Sequence, residues 1–311
     1  MTTANVPTTP LPSDQGPDAP SGGQRAPGLA PRGGSGLRAR RTAVRAAVAV
    51  VLGAVCLLVA SPLAWMVTTS LRPSNTVFTG GLLPETWTLD AYRAVWASAD
   101  LGLHLWNSAW ITGATVIGVL LFATLSGYAF ARLQFPFKNT IYLLLLSTLM
   151  MPGTALILPL YLQLRDLGLL GSQTGLLIMY VSGSTPFAMF LMRAFFETLP
   201  DELTQAARID GAGEFTIFWR VMLPLARPGI ATVVIFQFLA TWNEFLFANT
   251  VLQDTGKLPL QPVLFALLGQ YSTDWPLLTA GLVLSVIPII AVYVWMQRQF
   301  VAGMTLGAVK N

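Results

Sequence analysis

The chain has 311 residues, 54 % of them hydrophobic and only 10 % charged, with mean hydropathy +0.61 and formal net charge +4. Soluble domains carry roughly a quarter charged residues, so this composition excludes an ordinary soluble fold and fits a chain built for lipid. The single Cys56 excludes an intrachain disulfide, and the lone His104 lacks the companions a metal site needs, so no metal ligands are expected.

Residues 1–36 are rich in Pro, Gly, Ser, Thr and Ala and offer little apolar surface to offset ordering entropy. The reading is a disordered, cytoplasmic N-terminal tail over 1–42, followed by a transmembrane domain over 43–311. Arg38, Arg40, Arg41 and Arg45 lead into the first apolar run, which suits an uncleaved anchor. Charge-free windows then predict spans at 46–67, 105–131, 139–164, 167–192, 228–251 and 275–297, the fifth interrupted only by Glu244. Each has about the 20 residues that a hydrocarbon core demands, and backbone groups there must pair internally. The predicted class is an all-α polytopic membrane protein with six transmembrane helices. The run Leu258–Tyr271, holding Pro259, Pro262 and Gly269, is too short to cross and reads as a re-entrant or surface segment.

Lysine and arginine set the orientation. With the N-terminus inside, 14 of 18 fall on the cytoplasmic side: six before residue 46, Arg132, Lys138, Arg193, Arg208, Arg220, Arg227, Arg298 and Lys310. Arg72, Arg93, Arg165 and Lys257 lie outside. Both termini are therefore expected in the cytoplasm of a multi-pass protein. Trp65, Trp106, Trp110 and Trp275 near outer helix ends, and Trp295 near an inner one, fit interfacial belts. Pro152, Gly153, Pro159, Gly183, Pro186 and Pro288 should perturb their spans.

The cytoplasmic loop 197–227 is a polar island in this apolar chain. Pro200, Asp201 and Glu202 suit a first helical turn, the acids facing the positive end of the helix dipole. Gln205, Ala206 and Ala207 favour helix, Asp210 follows, and Gly211 sits where a left-handed cap would end it. The segment Glu214–Met222 is expected to bring Phe215, Phe218 and Met222 to one face, before Leu223, Pro224 and Pro228 lead into the fifth span. Small alanines on an exposed helix permit close approach by a soluble partner. Acids as common as bases argue against a helix lying on headgroups.

Here a resemblance carries further. Gln205-Ala206-Ala207, Gly211, then Val221-Met222-Leu223-Pro224 resembles the "EAA" loop of bacterial ABC importer permeases, which reads Glu-Ala-Ala, three residues, Gly, nine residues, Ile-x-Leu-Pro. Gln205 replaces the glutamate and Val221 the isoleucine. Asn107-Ser108, Tyr128-Ala129-Phe130-Ala131-Arg132, Met151-Pro152, Pro159-Leu160-Tyr161, Trp242-Asn243-Glu244-Phe245 and Val301–Lys310 are similar to stretches of carbohydrate importer permeases, in the same order.

The resemblance implies the type I importer permease fold and a non-enzymatic role as half of a sugar pathway. Implied partners are a second homologous permease in a heterodimer, a cytoplasmic ATPase dimer that receives the loop helix, an extracytoplasmic solute-binding protein, the sugar and the lipid membrane. No nucleic-acid partner is expected. The chain has no Gly-x-x-x-x-Gly-Lys-Ser/Thr loop, so it needs no cofactor, and ATP and Mg would sit on the ATPase. Gln205 can still bond a partner arginine, but more weakly than a carboxylate.

Glu244, the one acid well inside a span, is expected to contact solute or the partner permease together with Trp242 and Asn243. A stand-alone channel or secondary transporter would need internal repeats or several charged spans. An intramembrane enzyme would need a nucleophile–base pair. A permease for glycerol-phosphate or a polyol is the narrower alternative.

Overall fold

The computed structural model describes residues 34–308 apart from 79–80, 82 and 270–271, with burial described between 43 and 297. The expected tail therefore lies largely outside the described residues, although helix α1 (Gly34–Ser70) already begins within 1–42. Contact clustering divides the chain at Leu58/Val59. The described part of the N-terminal unit is a single run of helix with exposed side chains.

The C-terminal unit holds the remaining helices: α2 (Asp90–Ser98), α3 (Leu101–Arg132), α4 (Lys138–Ser147), α5 (Ile157–Asp166), α6 (Gln173–Thr198), α7 (Asp201–Ile209), α8 (Glu214–Ile217), α9 (Leu223–Leu225), α10 (Arg227–Trp242), α11 (Leu246–Val251), α12 (Leu260–Ala266) and α13 (Trp275–Ala308). Among the described residues, Ala43–Ser70, Leu101–Arg132, Gln173–Thr198 and Trp275–Gln297 are long and apolar enough to cross a membrane singly. Two bent pairs bring the spans to six.

The most extensive helix pairing joins α3 to α6. Glycines allow it: a Cβ on Gly118 would stand 2.8 Å from a Val181 methyl, and one on Gly127 would stand 2.8 Å from Met192 Cβ and 3.0 Å from the Arg193 nitrogen. The core at that level gathers Val119, Ala123, Tyr128, Met192, Phe196 and Val233.

Three spans depart from the sequence reading. The third is not one rod: α4 ends in a short 3₁₀ turn, Met151 and Pro152 are extended, and the two halves are bent by 94°. Proline removes a donor and disfavours helix in the residue before it. The fourth starts at Gln173, because Gly168 (φ 69°) and Gly171 (φ 74°) turn the chain and Ser172 caps the helix by accepting from Gly175 N at 3.0 Å. The fifth stops at Trp242, and its chain is unwound through Asn243–Phe245 before α11.

The short run after Leu258 is tucked among the long helices, with Leu260 and Leu264 buried. The first turns of α3 hold it there. His104 Nδ1–H donates to Leu258 O at 2.8 Å, and Asn107 Nδ2 donates to Gly256 O and Leu258 O at 3.0 Å each. Ser108 Oγ accepts from Leu260 N at 2.7 Å. Asn107-Ser108 is thus a clamp for backbone groups that lipid could not satisfy, and His104 is committed to the same task.

Candidate coupling loop and the intramembrane carboxylate

Helix α7 ends as glycine permits. Gly211 takes φ 80°, Ala212 N donates to Ala207 O at 2.9 Å, and Gly211 N donates to Arg208 O at 3.0 Å. These are the paired bonds of a Schellman cap, which satisfy carbonyls that a helix end would otherwise orphan. A Cβ on Gly211 would meet open space, so the constraint there is the dihedral alone.

Beyond Gly213 the chain forms α8 and then a wider π turn, Phe218–Met222, before Pro224 opens the next short helix. The widened turn redistributes the side chains. Phe218 and Met222 are buried, while Phe215 is 73 % exposed, so the expected single face of Phe215, Phe218 and Met222 does not form. Within α7, Thr204 is buried and its hydroxyl faces Met222 Sδ at 3.8 Å. Ala207 packs partly against the core, whereas Glu202, Gln205, Ala206 and Asp210 are exposed. Leu223 is half-buried and Pro224 exposed.

The end of α3 brackets this loop. Arg132, whose side chain is 8 % exposed, pairs with Asp201 and donates through its other terminal nitrogen to Phe196 O at 2.6 Å and to Leu199 O. One turn earlier, Tyr128 OH donates to Glu214 Oε2 at 2.9 Å, and Arg208 pairs with the other oxygen of that carboxylate at 2.7 Å. The half-exposed Arg208–Glu214 pair contributes little, about 0–1 kcal/mol. The bonds of buried Arg132 weigh more, because each satisfies a carbonyl at a helix end and hydrogen bonds to a charged group contribute about 1.5–3 kcal/mol.

Sequence reasoning missed this bracket. Its signal was present: a tyrosine and an arginine four apart close a span on one helix face. It also missed Ile209 (86 % exposed) and Phe215, large apolar side chains inside a polar segment.

Glu244 sits at the unwound turn of the fifth span. Its Oε1 accepts from Phe247 N at 2.7 Å, and its Oε2 accepts from Ala248 N at 3.0 Å and from the Tyr180 hydroxyl. The carboxylate therefore caps α11, where freed N–H groups and the helix dipole both favour an anion. Trp242 is buried, stacks on Phe238 and donates to Ser285 O at 3.1 Å. Asn243 is exposed and donates to Leu239 O at 2.9 Å. Of the three, Asn243 alone presents its side chain outward; Trp242 and Glu244 are held within the chain. Glu244→Gln keeps the size but turns an N–H₂ toward one of the three donors. We expect stability to fall by about 1–3 kcal/mol, read as a lower unfolding temperature in detergent, with insertion intact.

Crossing helices of this arrangement, with a structured polar loop at one end, define an integral-membrane transport subunit rather than a catalyst. The family model described as "Binding-protein-dependent transport system inner membrane component" matches residues 120–306, and the chain belongs to that family. It is 34 % identical over 271 residues to the diacetylchitobiose uptake system permease protein NgcG of Streptomyces coelicolor, covering 86 % of this chain and 89 % of that one. It is 37 % identical over 256 residues to the arabinooligosaccharides transport system permease protein AraQ of Halalkalibacterium halodurans, covering 80 % and 91 %. Among solved structures, a chain of a bacterial ABC transporter that imports the acidic polysaccharide alginate superposes with TM-score 0.74 at 27 % identity, covering 87 % of this chain and all of the other. The fold is that of an ABC importer permease. A subunit of this class is a multi-pass membrane component that works with an ATPase and a binding protein.

Proposed function

We propose that this chain is one half of the membrane pathway of a carbohydrate importer, paired with a second, homologous permease. The supporting observation is the resemblance in names and sequence: the relatives above are permeases for diacetylchitobiose and for arabinooligosaccharides, matched along most of their length. An sn-glycerol-3-phosphate permease protein, UgpE of Yersinia enterocolitica, is 36 % identical over 209 residues, which keeps a polyol phosphate as the second reading. Uptake of labelled disaccharides, oligosaccharides and glycerol phosphate by cells lacking this chain separates the two. Loss of sugar uptake supports the first reading, and loss of glycerol phosphate uptake alone the second.

In this reading the loop 197–227 docks on one copy of a cytoplasmic ATPase, which binds the ATP and Mg. The outward residues Glu202, Gln205, Ala206, Ile209, Asp210 and Phe215 meet it, while Ala207, Gly211, Leu223 and Pro224 set the loop's shape. The unequal distribution of lysine and arginine supports both termini and this loop being cytoplasmic, with residues 1–42 as a tail on the same side. With Cys56 replaced by alanine, single cysteines at Asp210 and at Asp254 should label from opposite faces of the membrane. Labelling of both from outside intact cells would reverse the assignment.

A further inference from the structure

We propose that the cleft between the α3–α4 turn and the last third of α6 binds a phosphate-bearing anion, supplied by the headgroup of an anionic phospholipid. The cleft measures about 480 Å³. Two cations, Lys138 and Arg193, line it together with the neutral polar side chains of Gln134, Asn139 and Thr140, and the described lining holds no carboxylate.

The cations are oriented in advance. The Arg193 guanidinium lies 3.9 Å from the centre of the Tyr142 ring and bonds Glu197 through Nε at 2.8 Å. Both terminal nitrogens are left for a ligand, with one charge offset. Lys138 donates to Leu133 O at 2.8 Å, which uses one of three ammonium donors. Between them α4 begins. Its N-cap, Phe137, takes φ 59° and offers no side-chain acceptor, so the first amides of this ten-residue helix add donors and positive potential.

Position selects the lipid as the source. None of the α4 side chains is buried, and Ile141, Leu143 and Leu144 expose an aliphatic strip that starts at the cleft. Phe137, 77 % exposed, flanks it. A basic polar cleft at the foot of an apolar strip has the shape of a phospholipid, headgroup and chain together. Basic pockets between transmembrane helices on the cytoplasmic side bind anionic headgroups in this way. Which leaflet supplies it rests on the orientation proposed above.

The test uses the assembled transporter, exchanged into detergent with phosphatidylglycerol or phosphatidylcholine, with retained lipids counted by native mass spectrometry. Wild type should retain phosphatidylglycerol in preference to phosphatidylcholine, and Lys138→Gln should hold it about fivefold more weakly. Arg193 also carries Tyr142 and Glu197, so Thr140→Glu, which puts an anion in the cleft and spares Arg193, serves as the second variant. Lys257→Gln, at the opposite end of α6, should change nothing. Equal retention of phosphatidylglycerol by wild type and both cleft variants overturns the site. Inorganic phosphate that protects wild type alone, while lipid retention is the same in all variants, overturns the lipid as its source. Labelling a cysteine at Thr140 reports the leaflet separately, so a reversed topology would leave the site standing and fail only the orientation.

Discussion

Gly211→Val is expected to abolish solute uptake while the protein still inserts in the membrane at normal levels. The residue adopts φ 80° with open space around it, so valine fails through its dihedral. A left-handed conformation costs a residue with a Cβ about 1–2 kcal/mol, and more when it is β-branched. Relieving that strain breaks the bonds from Gly211 N to Arg208 O and from Ala212 N to Ala207 O. The helix end and the path into α8 are then lost together. Asparagine tolerates the same region, so Gly211→Asn should restore most of the uptake. Ala206→Trp makes the complementary test, because Ala206 is exposed and the added bulk should block a docked partner without disturbing the fold. Ala207→Trp would not separate the two causes, since Ala207 already packs against the core. Wild-type uptake in both Gly211→Val and Ala206→Trp would show that this loop does not dock the motor.

Arg132→Gln is expected to have an effect of similar size by a different route. The variant leaves the carbonyls of Phe196 and Leu199 with a weaker donor and removes the charge paired with Asp201. Leaving buried carbonyls unsatisfied costs about 1–3 kcal/mol, and the loss falls on the joint between α6 and α7. Solute-stimulated ATP hydrolysis by the assembled transporter should fall about tenfold or more, while basal hydrolysis by the ATPase continues. Arg132→Lys keeps the charge but lacks the fork that reaches both carbonyls, so it should recover only part of the coupling. Full stimulation in Arg132→Gln would mean that the joint holds without it.

The sequence made the number of spans and the position of the loop legible, because both depend on long runs of one polarity. Window averages cannot show where a run is interrupted. Met151-Pro152 and Asn243-Glu244-Phe245 are as uncharged, or nearly so, as the helices around them, yet the backbone unwinds at both places. Glu244 marked the second break, since a lone carboxylate in lipid needs several donors, and unwound amides supply them. It was read as reaching outward when its partners lie three and four residues along its own chain. In the loop, Gly211 was legible from turn chemistry. The bracket was not, because it joins residues 86 positions apart, Tyr128 to Glu214, and no periodicity reports such a pair. Phe215 was misassigned because an α-helical phase was carried through a turn that is not α-helical.

That π turn, Phe218–Met222, gives a second meaning to the nine-residue interval between Gly211 and Val221. A wide turn holds one residue more than an ordinary helix would at the same height, and each α-helical residue advances the chain by about 100°. Deleting one residue there would convert the turn to α-helix and rotate α10 by roughly that angle against α7. The span's buried row, Ala231, Val233 and Ile235, would then face away from its core whenever the loop sat correctly. The interval therefore fixes phase as well as length: the loop and the span that follows can each be seated properly only while the count of residues between them is kept.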